Sequence, residues 1–469
     1  MKNYFINKTD LIMATIAISY AMVVSYLSLS RYYNFSLFIG DHATISQALW
    51  STLHGSFMQT TTGSHFYNSA SKVNFLEFHL SPIYLLVLPI FLIIPIQAGL
   101  IALKCVLVAA ASLLLYKIST EIISPVKSLF LALLFLASPN ILCCLDDSFH
   151  ADYFAPLILF LMLYALIKGR FLQYIIYIVL FLMIKESYVV TVFAIGIYAV
   201  LKKYSVKWSF WPAFLSIAWA GALIFFMRFV LYQNTAPLDS NNWGVLLLDN
   251  IKNLHFVKQA LTKESILRDL WFFVSSAKVL TFLDISCIIW MPDMLLHKAL
   301  GLPYGGHYGL LMTASIFFSL PFAIKKIENF LRKINIKPNV FIAAIFIFAF
   351  LSSFESMRIL SVKNFRASIY KDTQLKALGL IPKSESVSCN DVYLTRLADR
   401  EKLDWLGHED YKRKYNYILI DLNRANNEHI EWPVVTGYWK SFLESGREYS
   451  CIFDEKNIRV YKKIIDDEK

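Results

Sequence analysis

The chain has 469 residues, of which 57% are hydrophobic, 16% aromatic and 17% charged, with a formal net charge of +11. A soluble globular protein carries about 25% charged residues, and apolar runs of roughly fifteen to twenty residues, near the length of a membrane span, recur here from Leu11 to Phe350. That pattern excludes a soluble class. It also gives the positive charge a meaning other than nucleic-acid binding, because Lys and Arg collect beside spans and fix their orientation in a bilayer.

The first run, Leu11 to Leu29, follows Lys2 and Lys8. It is too long for a signal-peptide core and has no small-residue cleavage pattern after it, so it reads as an uncleaved span leaving the cytoplasm. A more polar stretch from Arg31 to His79 holds Asp41, His42, His54, His65, Glu77 and His79. This predicts a long, structured first outer loop. Its segment Ala43 to Leu53 has the pattern of an amphipathic helix lying on the membrane surface. Ser81 to Pro95 is short for a span and reads as a half-buried or re-entrant element on the outer side.

Further spans are predicted at Gln97 to Tyr116, Val126 to Leu142, Tyr153 to Ile167, Phe171 to Ile184, Tyr188 to Leu201 and Trp208 to Tyr232. Others follow at Leu270 to Leu283, Ile285 to Leu300, Tyr308 to Ala323 and Val340 to Phe354. The total is about eleven. The cytoplasmic loops of this topology hold Lys117, Lys127, Lys168, Arg170, Lys202, Lys203, Lys207, Lys325, Lys326, Arg332, Lys333 and Lys337. Short outer loops hold Asp146, Asp147 and Asp152 instead, as the positive-inside rule expects. The inner turn at Asp284 has no neighbouring cation, and the outer loop Gln233 to Lys263 carries lysines against the rule.

Odd parity puts the tail outside. The division predicted is a transmembrane domain over residues 1–360 and a soluble α/β domain over 361–469. Val387-Ser388-Cys389 and Tyr417-Ile418-Leu419-Ile420 read as strands, and Ser450 to Phe453 with Ile458 to Tyr461 reads as a hairpin. Cys389 and Cys451 would share an oxidising compartment, which permits a disulfide without implying one. No spacing among the six cysteines suggests a zinc site.

Ionisable residues at membrane depth are expensive and tend to be functional. Lys185-Glu186, between two apolar runs, is the sharpest case; the bland reading is an outer turn whose side chains snorkel to water. Asp146, Asp147, His150 and Asp152 cluster before a span, where acids also cap a helix N-terminus. His79 and His307 each stand at the outer mouth of an apolar segment. Asp41 follows a glycine, as turn aspartates often do. A shared outer cavity of these groups could hold an acid/base pair, a divalent metal or a proton pathway, and spacing does not choose among them.

The stretch Gly40-Asp41-His42-Ala43-Thr44-Ile45-Ser46-Gln47-Ala48-Leu49-Trp50 resembles a family motif, Tyr-Asp-Leu-Gly then Gln-x-x-Trp. Phe78-His79-Leu80-Ser81-Pro82-Ile83-Tyr84 resembles that family's His-Phe-Ser-Pro-Ile. Gln97, Phe149-His150, Lys185-Glu186 and His307-Tyr308 fall in the family's order, and Ile381 to Ser388 is similar to the start of its final domain. The family is the bacterial membrane proteins of domain of unknown function 2079, which is similar to the GT-C-type membrane glycosyltransferases. Two departures are His42-Ala43 after the aspartate and Ala151-Asp152 where Pro-Glu is usual.

The resemblance implies an all-α polytopic GT-C-like membrane protein with a small exoplasmic α/β tail, set in the bacterial inner membrane. It implies sugar transfer from a polyprenyl-phosphate donor to a cell-envelope acceptor, with Asp41, Asp147 and Asp152 as catalytic carboxylates. His79, His150, Lys185, Glu186 and His307 would contact substrate. The alternative is a transporter or flippase of a lipid-linked or small polar substrate, against which the sequence shows no internal repeat.

Overall fold

The computed structural model describes residues 8–36, 40–62, 73–142, 148–226, 278–300, 306–353, 367–406, 415–424, 443 and 448–464. The chain forms two compact units. One comprises Met1–Tyr26, His79–Ile83 and Ala102–Ser361; the other comprises Leu27–Phe78, Tyr84–Ile101 and Val362–Lys469.

The protein is membrane-embedded and mostly helical. Among the described residues four helices are long and apolar enough to cross a bilayer: Lys8–Tyr33, Ile96–Thr120, Val206–Phe226 and His307–Lys333. Shorter apolar helices cover Pro125–Leu136, Ala151–Ile167, Phe171–Leu182, Glu186–Leu201 and Pro338–Leu351. Two expected spans look different. Ile285 to Leu300 is a 3₁₀ stretch, Ile285–Ile289, followed by the helix Met291–Leu300. Of Leu270 to Leu283, only the 3₁₀ stretch Lys278–Leu283 lies within the described residues.

In the first unit, local chemistry ends the helices sharply. Gly169, Lys203 and Asn335 adopt left-handed φ values of 67°, 59° and 58°. The next N–H in each case reaches back over the last turn: Arg170 to the Ala165 carbonyl at 2.9 Å, Tyr204 to Ala199 at 3.0 Å and Ile336 to Leu331 at 2.9 Å. This is the Schellman closure of a helix C-terminus. Helices Val189–Leu201 and Val206–Phe226 pack closely at Gly196, where a Cβ would stand 3.1 Å from the Ser209 carbonyl oxygen. Small residues permit this approach in a membrane bundle. Phe135 stands edge-on to both Phe160 and Phe317, at 5.9 and 5.3 Å between centroids, and ties three helices together.

Several cations beside the apolar helices of the first unit are paired. Lys117 meets Asp10 at 3.1 Å, Lys168 meets Glu121 at 2.6 Å, and Lys127 meets Glu328. The Asp284 turn, expected to stand without a cation, has two: Lys202 at 3.4 Å and Lys326 at 3.0 Å. Asp284 is buried and also accepts from the Ser286 N–H. A carboxylate this enclosed requires such partners, and both come from residues distant in sequence.

The second unit contains every strand described. Gln59–Thr60 (β1) pairs antiparallel with Val73–Asn74 (β2). Val387–Cys389 (β3), Leu403–Trp405 (β4), Tyr417–Asp421 (β5), Tyr449–Glu455 (β6) and Ile458–Lys463 (β7) form a sheet of order β4-β3-β5-β7-β6. The three expected strand regions are present. β4, which carries too short an apolar run to signal itself, was not expected. β3 pairs parallel with β4 and β5, while β7 runs antiparallel to β5 and β6. β3 and β5 are buried along their whole length, as central parallel strands are. Their core takes in Ala377, Ile381, Val392, Tyr393 and Leu397, and also Phe35 and Ala43 from the N-terminal part of the chain.

The helix expected over Ala43 to Leu53 spans Gly40–Leu53, but it does not lie as a surface helix. His42 through Leu49 are all buried. Its polar face is satisfied within the unit by Gln47. The Gln47 amide donates to Thr61 Oγ1 at 2.9 Å and to the Arg400 carbonyl at 3.1 Å. Its carbonyl accepts from Thr60 Oγ1 and the Thr61 N–H, each at 2.9 Å. Hydrogen-bonding partners supplied by protein rather than water explain why a helix with Thr44 and Gln47 can be enclosed.

Candidate functional site

Three breaks between apolar helices build the site in the first unit. His150 is extended, and Asp152 lies in the 3₁₀ turn Ala151–Phe154 that opens helix Ala155–Ile167. Lys185, at φ −160° and ψ 145°, precedes the turn Glu186–Tyr188 that opens helix Val189–Leu201. His307 and Tyr308 lie in the turn Gly306–Gly309 that opens helix Leu310–Lys333. Each break gives up regular hydrogen bonds at a helix start, where N–H groups are unpaired and the dipole is positive.

These segments meet at Asp152. Tyr188 donates its hydroxyl to Asp152 Oδ1 at 2.7 Å, and Lys185 Nζ stands 3.4 Å from both carboxylate oxygens. The side chains of Lys185 and Asp152 are only 13% and 8% exposed, so the snorkelling reading of Lys185 is replaced by a buried ion pair. The ammonium also lies 5.1 Å from the Tyr308 ring centroid. The imidazoles of His150 and His307 stack at 3.5 Å with 15° between planes, and His307 packs on Tyr308 at 4.0 Å. One ligand atom from each of His150, Asp152 and His307 falls within 4.8 Å of the others.

His79 and Glu186 form a second pair, Nδ1 to Oε1, at 3.1 Å. The Ile83 N–H donates to the Met183 carbonyl at 3.1 Å and holds the His79–Ile83 segment beside the Lys185 break. Glu186 Oε2 is buried and has no hydrogen-bond partner among the described residues.

Asp152, His150, Lys185, Glu186, His79 and His307 are therefore gathered in one unit. Asp147 lies outside the described residues. Asp41 belongs to the second unit, exposed in the first turn of helix Gly40–Leu53. In that unit His42 is buried against the Gln97 carbonyl at 3.1 Å, and the Gln97 amide donates to Asp399.

Several polar residues of the first unit escaped the sequence reading. Tyr188 carries no signal, since a tyrosine at a span end is commonplace. Asp293, His297 and Lys104 had one, being ionisable groups inside apolar stretches. Asp293 is buried, interacts electrostatically with Asp152 and Lys185, and has Oδ2 without a hydrogen-bond partner among the described residues. His297 places its ring nitrogens 2.8 Å from the carbonyl oxygens of Asp293 and Tyr308, and so braces the His307–Tyr308 turn. Lys104 is fully buried, 5.8 Å from the Tyr153 ring centroid.

A family model described as "Predicted membrane protein (DUF2079)" matches residues 27–457. Among solved structures, the chain is similar to the archaeal oligosaccharyltransferase AglB from Archaeoglobus fulgidus, determined in complex with an inhibitory peptide and a dolichol-phosphate. The TM-score is 0.46 at 10% identity, covering 97% of this chain and 75% of that one. No curated protein matches.

Proposed function

We propose that this chain, which belongs to the DUF2079 family of predicted membrane proteins, transfers a sugar from a polyprenyl-phosphate donor to a cell-envelope acceptor. The reaction would take place at the outer face of the bacterial inner membrane. The observation that supports this reading is the grouping of Lys185, His150 and His307 with Asp152 and Glu186 at the starts of apolar helices. Transfer from a lipid phosphate needs donors or cations for the departing phosphate and a base for the acceptor hydroxyl. Lys185 and the imidazoles suit the first need. The carboxylates, including Asp41 and Asp147, suit the second.

The topology proposed with this function has a cytoplasmic N-terminus, about eleven spans and an exoplasmic tail. Reporter fusions after Lys203 and after Lys469 test it, with opposite sides expected. The function is tested by mass spectrometry of envelope glycans and lipid-linked sugars in cells with and without the protein. Loss of one glycan modification with accumulation of its lipid-linked donor supports transfer. A donor that is trapped on the cytoplasmic leaflet favours the flippase reading instead, and unchanged pools overturn both.

A further inference from the structure

We infer that His150, Asp152 and His307 form a binding site for one imidazole-preferring divalent metal ion, of the zinc or cobalt class. Two imidazole nitrogens and a carboxylate are a donor set for such ions, and three protein ligands leave a coordination position open for a substrate oxygen or water. The three donor atoms already lie within 4.8 Å of one another. Metal bonds of about 2.0–2.2 Å require these donors to draw closer around an ion by roughly an ångström, which side-chain rotation of the two stacked rings supplies.

The surroundings support the assignment. Asp152 is held by Tyr188, which donates to Oδ1, the outer-shell contact that orients a ligating carboxylate. Lys185 does not saturate the carboxylate: both its contacts are 3.4 Å, longer than the about 2.7–2.9 Å of a charge-assisted bond. Oδ2 therefore keeps acceptor capacity. Charge points the same way. Asp152 interacts with Asp293, and Tyr188 with Asp152, Glu186 and Asp293; Lys185 is one cation among these carboxylates, and His79 pairs with Glu186. Asp293 is 6% exposed and leaves Oδ2 without a hydrogen-bond partner among the described residues. Carboxylates around the three donors help to compensate a buried dication, which is stable only when its charge is balanced.

This assignment does not depend on the sugar-transfer reading, and its test reads binding alone. Full-length protein in detergent is stripped with a chelator and titrated with Co²⁺ while the visible absorption of the bound ion is followed, with Zn²⁺ as competitor. One equivalent is expected. H150A and H307A should each weaken binding by more than about 100-fold, beyond the 10–100-fold that outer-shell changes give. Tyr188→Phe should fall within that smaller range, and H54A, which alters an exposed histidine, should bind as the parent does. Metal-free melting and gel filtration report folding, and His307→Gln replaces H307A if the latter does not fold. No Co²⁺ band at millimolar metal, or equal affinity in the parent and both histidine variants, overturns the assignment.

Discussion

Lys185 Nζ lies equidistant, 3.4 Å, from the two carboxylate oxygens of Asp152, a residue that opens a different helix. The pair is enclosed by protein, and Tyr188 adds a hydroxyl donor to the same carboxylate. Removing one partner of such a pair leaves the other charge buried and uncompensated, at a cost of about 3–5 kcal/mol. Lys185→Met is therefore expected to lower thermal stability strongly. The double variant Lys185→Met with Asp152→Asn should recover part of the loss, because neither charge then remains. Melting of the four proteins of this double-mutant cycle checks the coupling. Additive losses would show that the pair carries no interaction energy.

Asp41 separates two readings in one substitution. As the proposed base, Asp41→Asn should lower sugar transfer by roughly 10²–10⁴ at normal expression. As an acid in the first turn of helix Gly40–Leu53, it would accept Asn with little effect. Transfer assayed from a lipid-linked donor, with membrane insertion measured in parallel, distinguishes the outcomes. Full activity would move the search for a base to Asp147 and Asp152.

Gln47 is expected to be a structural hub of the second unit. It bonds helix Gly40–Leu53 to Thr60 and Thr61, and to the Arg400 carbonyl just before β4. Gln47→Ala strands several buried partners at about 1–3 kcal/mol for each one left unsatisfied. Amide hydrogen exchange across β3, β4 and β5 should accelerate markedly. Protection equal to that of the parent would mean that these bonds are replaced by water at no cost.

The two tail cysteines should respond differently to alkylation. Cys389 is fully buried in β3, and burial pushes its thiol well above the ordinary range. The reactive thiolate is thus scarce as well as enclosed. Cys451 is exposed on β6. Three strand spacings separate β3 from β6 in the sheet, about 14 Å, beyond the about 7 Å Cα limit of a disulfide. A membrane-impermeant maleimide at pH 8 should modify Cys451 in whole cells and spare Cys389 until the protein is unfolded. Loss of whole-cell labelling in Cys451→Ser is the control. Protection of Cys451 in intact cells, with reaction in inverted vesicles, would reverse the proposed orientation of the tail.

Sequence by itself determined what depends on local composition and period. The apolar runs, the cations beside them and the tail strands Val387–Cys389 and Tyr417–Asp421 are written in contiguous residues, because bilayer insertion and strand formation respond to segments. So was the list of costly ionisable groups, Lys185, Glu186, His150 and Asp152 among them. Pairing was decided by tertiary structure. That Asp284 is met by Lys202 and Lys326, that His150 stacks on His307, and that Asp293 interacts electrostatically with Asp152 depends on how segments far apart in sequence are brought together. The same holds for helix Gly40–Leu53. Its sequence shows polar and apolar faces, which suit a membrane surface as well as a protein interior. Only the partners of Gln47 and the enclosure of Ala43 in a core with β3 and β5 choose the interior, since a buried amide is stable where the surrounding chain supplies its hydrogen bonds.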